Sequence, residues 1–135
     1  MDPRLYILMR TDLASMNSGK GMAQAAHAAN AFAHAVAKVI ASPETYTLLH
    51  AAQNWKNQTT QGFGTTITLE VESEKCMNAL VTLGSGFGFL TGIVHDPTYP
   101  VRDGNVTHLI PINTCAYIFS QNGMPVLLET LDLHP

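Results

Sequence analysis

The sequence predicts an α/β fold: a single domain, residues 1–135, built on a four-stranded mixed sheet flanked by helices on both faces. Three observations carry that expectation. Leu5-Tyr6-Ile7-Leu8-Met9 is an apolar run without alternation, as expected of a central strand covered on both sides. Ser18 to Ile40 is the longest alanine-rich, proline-free stretch, and its residues sort by side at helical period. Later strand-like and helix-like segments follow in the order β-α-α-β-α-β-β. A chain of 135 residues is large enough to bury a real core as one unit.

The first strand runs into Arg10-Thr11-Asp12-Leu13, and a loop from Ala14 to Gly19 leads to the long helix. Strand, polar loop, helix is the opening of an α/β unit, whose ligand sites gather at strand ends. On the helix, Lys20, Gln24, His27, His34 and Lys38 fall in one stripe, with Met22, Ala25, Ala29, Phe32, Val36 and Ile40 opposite and suited to a core. Ser42-Pro43-Glu44 closes this helix and starts a second, with Ser42 as N-cap and Pro43 at its first position. Leu48, Leu49, Ala52 and Trp55 give the second helix its apolar side. Thr65 to Val71 alternates and is β-branched, which predicts a strand. Ser73 caps a third helix to about Leu83, with Met77, Leu80 and Val81 inward, ended by Gly84, Gly86 and Gly88. Phe89 to Val94 is a third strand ending in His95-Asp96. Pro97 to Pro111 is expected to be irregular, Thr114 to Phe119 a fourth strand, and Pro125 to Leu131 a last short helix or extended segment.

Composition excludes several classes. With 46% hydrophobic and 13% charged residues and a formal charge of −3, whole-protein attraction to nucleic acid is absent, so RNA binding requires a local basic patch and no DNA partner is expected. Cys76 and Cys115 fit no metal spacing and are too few for a disulfide framework; they are expected as buried thiols in a reducing, cytoplasmic setting. The six histidines supply no second ligand pair, so neither metal nor other cofactor is expected. No run is long enough to cross a membrane, and the start of the chain has no cleavage region, so neither membrane nor leader is expected. Gly84, Gly86 and Gly88 stand between a helix and a strand, the reverse of the dinucleotide fingerprint.

The polar stripe of the first helix is where chemistry is expected. It has no carboxylate, and its first two turns hold Lys20, Gln24 and His27. A cation at a helix start opposes the dipole, which calls for a reason. An anionic group near Lys20 and the free N–H groups of Ser18-Gly19-Lys20-Gly21 supplies one. The G-x-x-x-x-G-K-[ST] spacing of a P-loop is absent.

Arg10-Thr11-Asp12-Leu13, followed by Gly19-Lys20, Ala23-Gln24 and His27-Ala28, resembles the R-T-D-L … G-K-x-A-A-Q-x-x-H-A signature of the archaeal/eukaryotic-type peptidyl-tRNA hydrolases. The resemblance extends through Trp55 ahead of a strand, a Ser/Glu-rich start to the third helix, and a Gly-rich turn into a strand ending in an acid. It departs at the acidic loop. The family runs Arg-Asp-Ala-Gly-x-Thr directly after the third strand, whereas here the strand ends His95-Asp96-Pro97-Thr98 and Arg102-Asp103-Gly104-Asn105-Val106-Thr107 follows later. Met22 also stands where the family has Ala, and Ala26 replaces a frequent Ser. Asp96 is preferred as the functional acid over Asp103 because a strand end is fixed against the helix start.

The resemblance implies hydrolysis of the ester joining a peptide to the 3′ end of tRNA, with peptidyl-tRNA as partner and a homodimer as the assembly the family often forms. Such a reaction needs aimed water, a base and a stabiliser of the oxyanion. Lys20, His27 and Asp96 are the catalytic candidates: Asp96 or His27 as proton acceptor, Lys20 on a phosphate or the oxyanion. Arg10, Gln24, Asp103 and Thr107 are the substrate-binding candidates. No hydroxyl or thiol nucleophile is indicated. A second class remains open on sequence alone: the same fold kept as a binding module for a nucleotide, RNA end or protein, without turnover.

Overall fold

A computed structural model describes all 135 residues. The elements are β1 (Arg4–Arg10), α1 (Ser18–Lys38), α2 (Tyr46–Lys56), β2 (Thr66–Val71), α3 (Glu74–Gly86), β3 (Leu90–Asp103) and β4 (Val106–Ser120), with a 3-10 turn at Val126–Leu128. They form one four-stranded sheet in the order β2-β1-β4-β3. The β1–β2 pair is parallel and the β1–β4 and β3–β4 pairs are antiparallel, so the sheet is mixed as expected.

The unalternated run in β1 has a direct cause. Leu5, Ile7 and Met9 point into one core with Phe32, Trp55, Tyr117 and Phe119, under α1 and α2. Tyr6 and Leu8 point into a second core with Leu69, Met77 and Ile118, under α3 and the 3-10 turn. Phe32 is the hub of the first core. Its ring meets Trp55 edge-on at 5.4 Å and Phe119 at 4.8 Å, and also touches Tyr117. Edge-to-face packing of this kind adds to simple burial. Tyr117 itself lies across the strand from Gly92, where a Cβ would come within 2.5 Å of the ring; glycine is required there by close approach.

Three expectations change in detail. The face of α1 that meets the sheet is Gly21, Gln24, Ala28, Phe32 and Val36, while Met22 and Ile40 are exposed. The helix is thus rotated so that Gln24 turns inward, because a buried polar partner awaits it on β4. The Lys20 N–H, expected to be free, donates at 2.9 Å to the side chain of Asn17, which caps α1. Helix α2 begins at Tyr46: Ser42 and Thr45 hydrogen-bond each other's backbone and side chains across a Ser-Pro turn, which uses up the Ser42 cap before the helix starts.

The largest departure is Pro97 to Pro111. Rather than an irregular loop, these residues prolong β3 and β4 into a long hairpin that turns at Gly104-Asn105, where Gly104 has φ +58°. The prolines did not prevent it because Pro97 and Pro100 lie on the edge strand β3, and Pro111 lies on the part of β4 beyond Cys115, where pairing with β1 has ended. At the opposite edge, Glu70 N–H donates to Asp132 O and His134 N–H to Thr68 O, so the last residues cover the free side of β2.

Candidate active site at the start of helix α1

Two irregularities in the β3–β4 ladder build the site. Val94 pairs with Cys115 but His95 with Asn113, leaving Thr114 as an extra residue in β4. Asp96 pairs with Ile112 but Tyr99 with Ile110, leaving an extra residue in β3 at Pro97-Thr98. A bulge re-aims the side chains beside it. Strict alternation would send Thr114 to the α3 side with Ala116 and Ile118; the bulge turns it toward α1 instead.

There Thr114, fully buried, donates to Gln24 Oε1 at 2.6 Å. Gln24, 3% exposed, donates from Nε2 to Asp96 Oδ2 at 2.7 Å. The carboxylate, which only accepts, requires the NH2 end of the amide, and the hydroxyl supplies the donor that the amide oxygen then needs. Asp96 Oδ1 accepts from the Thr98 N–H at 2.9 Å and from its hydroxyl at 3.4 Å, a turn set by the Asp-Pro-Thr sequence. Burial pushes the Asp96 carboxyl up, but the Gln24 and Thr98 hydrogen bonds and the neighbouring His27 outweigh it and hold it below the usual carboxylate range. His27 is exposed on α1, one turn from Gln24.

Lys20 reaches the base of the hairpin, a few residues beyond Asp96, from the first turn of α1. Its Nζ donates to Pro100 O at 2.7 Å and lies 5.4 Å from the centre of the Tyr99 ring. Tyr99 is fully buried, and its hydroxyl donates to Ala14 O at 3.3 Å. With Arg102 N–H donating to Ser15 Oγ, this ties the base of the hairpin to the loop before α1. One carbonyl occupies one ammonium proton of Lys20 and leaves the others for an incoming anion.

The remaining candidates lie elsewhere. Arg10, 7% exposed, sits on the α3 side of the sheet with its guanidinium fully engaged. It makes two bonds to Asp12, at 2.9 and 3.0 Å, one to Asn113 O at 2.8 Å, and a longer one to Glu74. Hydrogen bonding to Asp12 holds it above its usual pKa against the effect of burial. Arg10 braces the strand ends rather than presenting a free cation. Asp103 and Thr107 are at the outer end of the hairpin, exposed; Asp103 lies 3.6 Å from His108, and neither touches Lys20, Gln24 or Asp96. Gln24, expected at the surface to bind substrate, has both ends of its amide occupied inside the protein.

Thr98, Tyr99 and Thr114 were not among the residues singled out from sequence. Asp96-Pro97-Thr98 carried a readable turn signal; Thr114 carried none, since its orientation depends on the bulge. Cys115 is buried, donates to Gln24 O and has its thiol pushed up to about 12 by burial, which removes it as a nucleophile. No cluster of His, Cys, Asp and Glu has metal-holding geometry, and no helix is long and apolar enough to cross a membrane. The surface has four cavities of about 340 to 380 Å³, and none is lined by Lys20, Gln24, His27 or Asp96. The cation, the imidazole and the carboxylate therefore stand on an open surface, a form that suits a large substrate better than an enclosed small molecule.

No individual curated protein matches the chain. A family model described as Peptidyl-tRNA hydrolase PTH2 matches residues 4–117, from β1 through most of β4, and so includes Lys20, Gln24, His27, Asp96 and Thr114. The chain belongs to the PTH2 peptidyl-tRNA hydrolases, and the reaction it carries out is hydrolysis of the ester between peptide and tRNA.

Proposed function

We propose that the hydrolytic centre is the surface formed by Lys20, His27 and Asp96, with Gln24, Thr98 and Thr114 holding Asp96 in place. The observation that carries this reading is the Thr114–Gln24–Asp96 hydrogen-bond chain, which fixes an ionised carboxylate beside an exposed imidazole at the start of α1. A carboxylate with a low pKa is a good acceptor of a hydrogen bond from water and a weak base. Asp96 accordingly orients the attacking water, and His27 takes its proton, with the Asp96 charge stabilising the imidazolium. The water oxygen bonds to the ester carbonyl carbon, and the ammonium of Lys20 stabilises the oxyanion that forms. Collapse breaks the bond to the ribose oxygen, and His27 returns its proton to that oxygen, releasing peptide and tRNA.

Direct binding of tRNA, a cytoplasmic location and a homodimer belong to the same proposal. An apolar surface around Phe87, 72% exposed, and Val126, 77% exposed, supports the last of these, since a second copy would cover it. In a peptidyl-tRNA cleavage assay, Lys20→Ala and Asp96→Ala should each lower kcat/KM at least about tenfold, roughly 1.4 kcal/mol in the barrier. Turnover at the unaltered rate in both variants would move the chemistry elsewhere on the molecule.

A further inference from the structure

The formal charge of −3 is unevenly spread over the two faces of the sheet. Within helices α1 and α2 and the turn between them, Lys20, Lys38 and Lys56 are opposed by Glu44 alone, and His27, His34 and His50 lie on the same layer; Asp96 meets this layer only at the start of α1. On the α3 side, Glu72, Glu74, Glu129 and Asp132 are opposed by Lys75 and by Arg10, whose guanidinium is shared with Asp12, and Glu72 and Asp132 line a cavity there. Helix α1 carries no carboxylate in its 21 residues. Lys20, His27, His34 and Lys38 share one narrow line along it, and the last three are exposed. From Lys20 to Lys38 that line is about 27 Å long at 1.5 Å per residue.

We infer that the stem of the tRNA lies along the exposed His27–His34–Lys38 line of α1, with its 3′ end at Lys20 and the acidic α3 face turned away. The inference rests on the placement of the hydrolytic centre at Lys20 and Asp96, and it extends that centre into a track for the nucleic acid. A phosphate backbone is drawn to clustered cations and repelled by clustered carboxylates, so the two faces of this sheet are not equivalent to it. The charge balance of the whole chain conceals this, because the excess of acids sits on the side the RNA does not approach.

The test compares two substrates: intact peptidyl-tRNA, and an N-acyl-aminoacyl ester of adenosine, which keeps the scissile bond and lacks the stem. His34→Glu and Lys38→Glu should each raise KM for peptidyl-tRNA on the order of tenfold, and Lys38→Glu should also reduce the salt dependence of binding by about one unit of slope. Both should leave turnover of the adenosine ester unchanged, which also shows that they are folded. Lys75→Glu, on α3, should change neither. An unaltered KM for peptidyl-tRNA in the two α1 variants, or an equal rise in Lys75→Glu, overturns the track. The placement of the centre is read separately: Lys20→Ala and Asp96→Ala turning over the adenosine ester at the normal rate would remove it, whatever the α1 variants do to KM.

Discussion

At the scale of single residues, the site depends on one hydroxyl that never meets solvent. Asp96 draws the NH2 end of the Gln24 amide, and Thr114 donates to the amide oxygen left facing the interior, which keeps the amide in that place. Thr114→Val keeps the shape and removes the donor, leaving Gln24 Oε1 buried and unpaired at a cost of about 1–3 kcal/mol. To find another donor the amide must leave this position, and Asp96 then loses its bond from Nε2. Thr114→Val should therefore lower kcat on peptidyl-tRNA, whereas Thr107→Val, out on the hairpin, should not. Chemical denaturation and the cleavage assay on the two variants check both statements. Lys20, His27 and Asp96, on which the proposed centre rests, could be singled out in the sequence as candidates because of their residue types and their places at a helix start and a strand end. The role of Gln24 was not: a helical wheel places it with the exposed polar stripe, and only the bulge at Thr114 gives a buried amide somewhere to bond. Arg10 was misplaced for a related reason. Alternation along β1 sends it to the α3 side with Tyr6 and Leu8, where Asp12, Glu74 and Asn113 O consume its donors.

Among the elements, order and type were readable from apolar periodicity, and the long hairpin was not. Strand signals in Pro97 to Pro111 are weak, since most of its residues are exposed and have no core face to impose alternation. What holds its base is a handful of contacts: Tyr99 buried against the loop before α1, Lys20 on the Pro100 carbonyl, and Arg102 N–H on Ser15. The same contacts place the hairpin against the helix start. Tyr99→Ala should release it and carry the Pro100 carbonyl away from Lys20, lowering kcat/KM for peptidyl-tRNA several-fold, by roughly 1 kcal/mol. Phe32 tests the opposite kind of element contact, deep in the core and away from the site. Phe32→Ala removes the ring on which Trp55, Tyr117 and Phe119 converge and should cost about 3–5 kcal/mol of stability. Thermal unfolding and the cleavage assay together separate the two: Phe32→Ala should lower the melting temperature and leave the rate of the folded enzyme little changed, whereas Tyr99→Ala, which also empties a buried site, should lower both.

Over the whole molecule, the ionisable groups set a window of pH in which the fold is most stable. Asp96 and Asp12 have folded-state values below the ordinary carboxylate range. For Asp96, burial works the other way, and the hydrogen bonds from Gln24 and Thr98 together with the charge of the nearby His27 prevail; for Asp12, the bonds from Arg10 are the main cause. A carboxylate whose pKa is depressed on folding stabilises the protein fully above its unfolded value, about 4, and that stabilisation is lost as pH falls through the folded value. Cys115 behaves with the opposite sign. Burial raises its thiol from 9.0 to about 12, so the unfolded chain ionises first and stability declines as pH rises above 9.0. Tyr99 and Tyr117, raised mainly by burial, add to the same alkaline decline. The midpoint of urea unfolding should accordingly be flat through neutrality, fall on the acid side below about pH 4, and fall on the alkaline side from about pH 9. Asp96→Asn should shallow the acid limb and leave the alkaline one; Cys115→Ala should lower the whole curve through lost packing yet shallow the alkaline limb. An acid limb unchanged in Asp96→Asn would mean that the Gln24 and Thr98 bonds do not hold this carboxyl ionised, and the hydrogen-bond chain through Thr114 would lose its claim on catalysis.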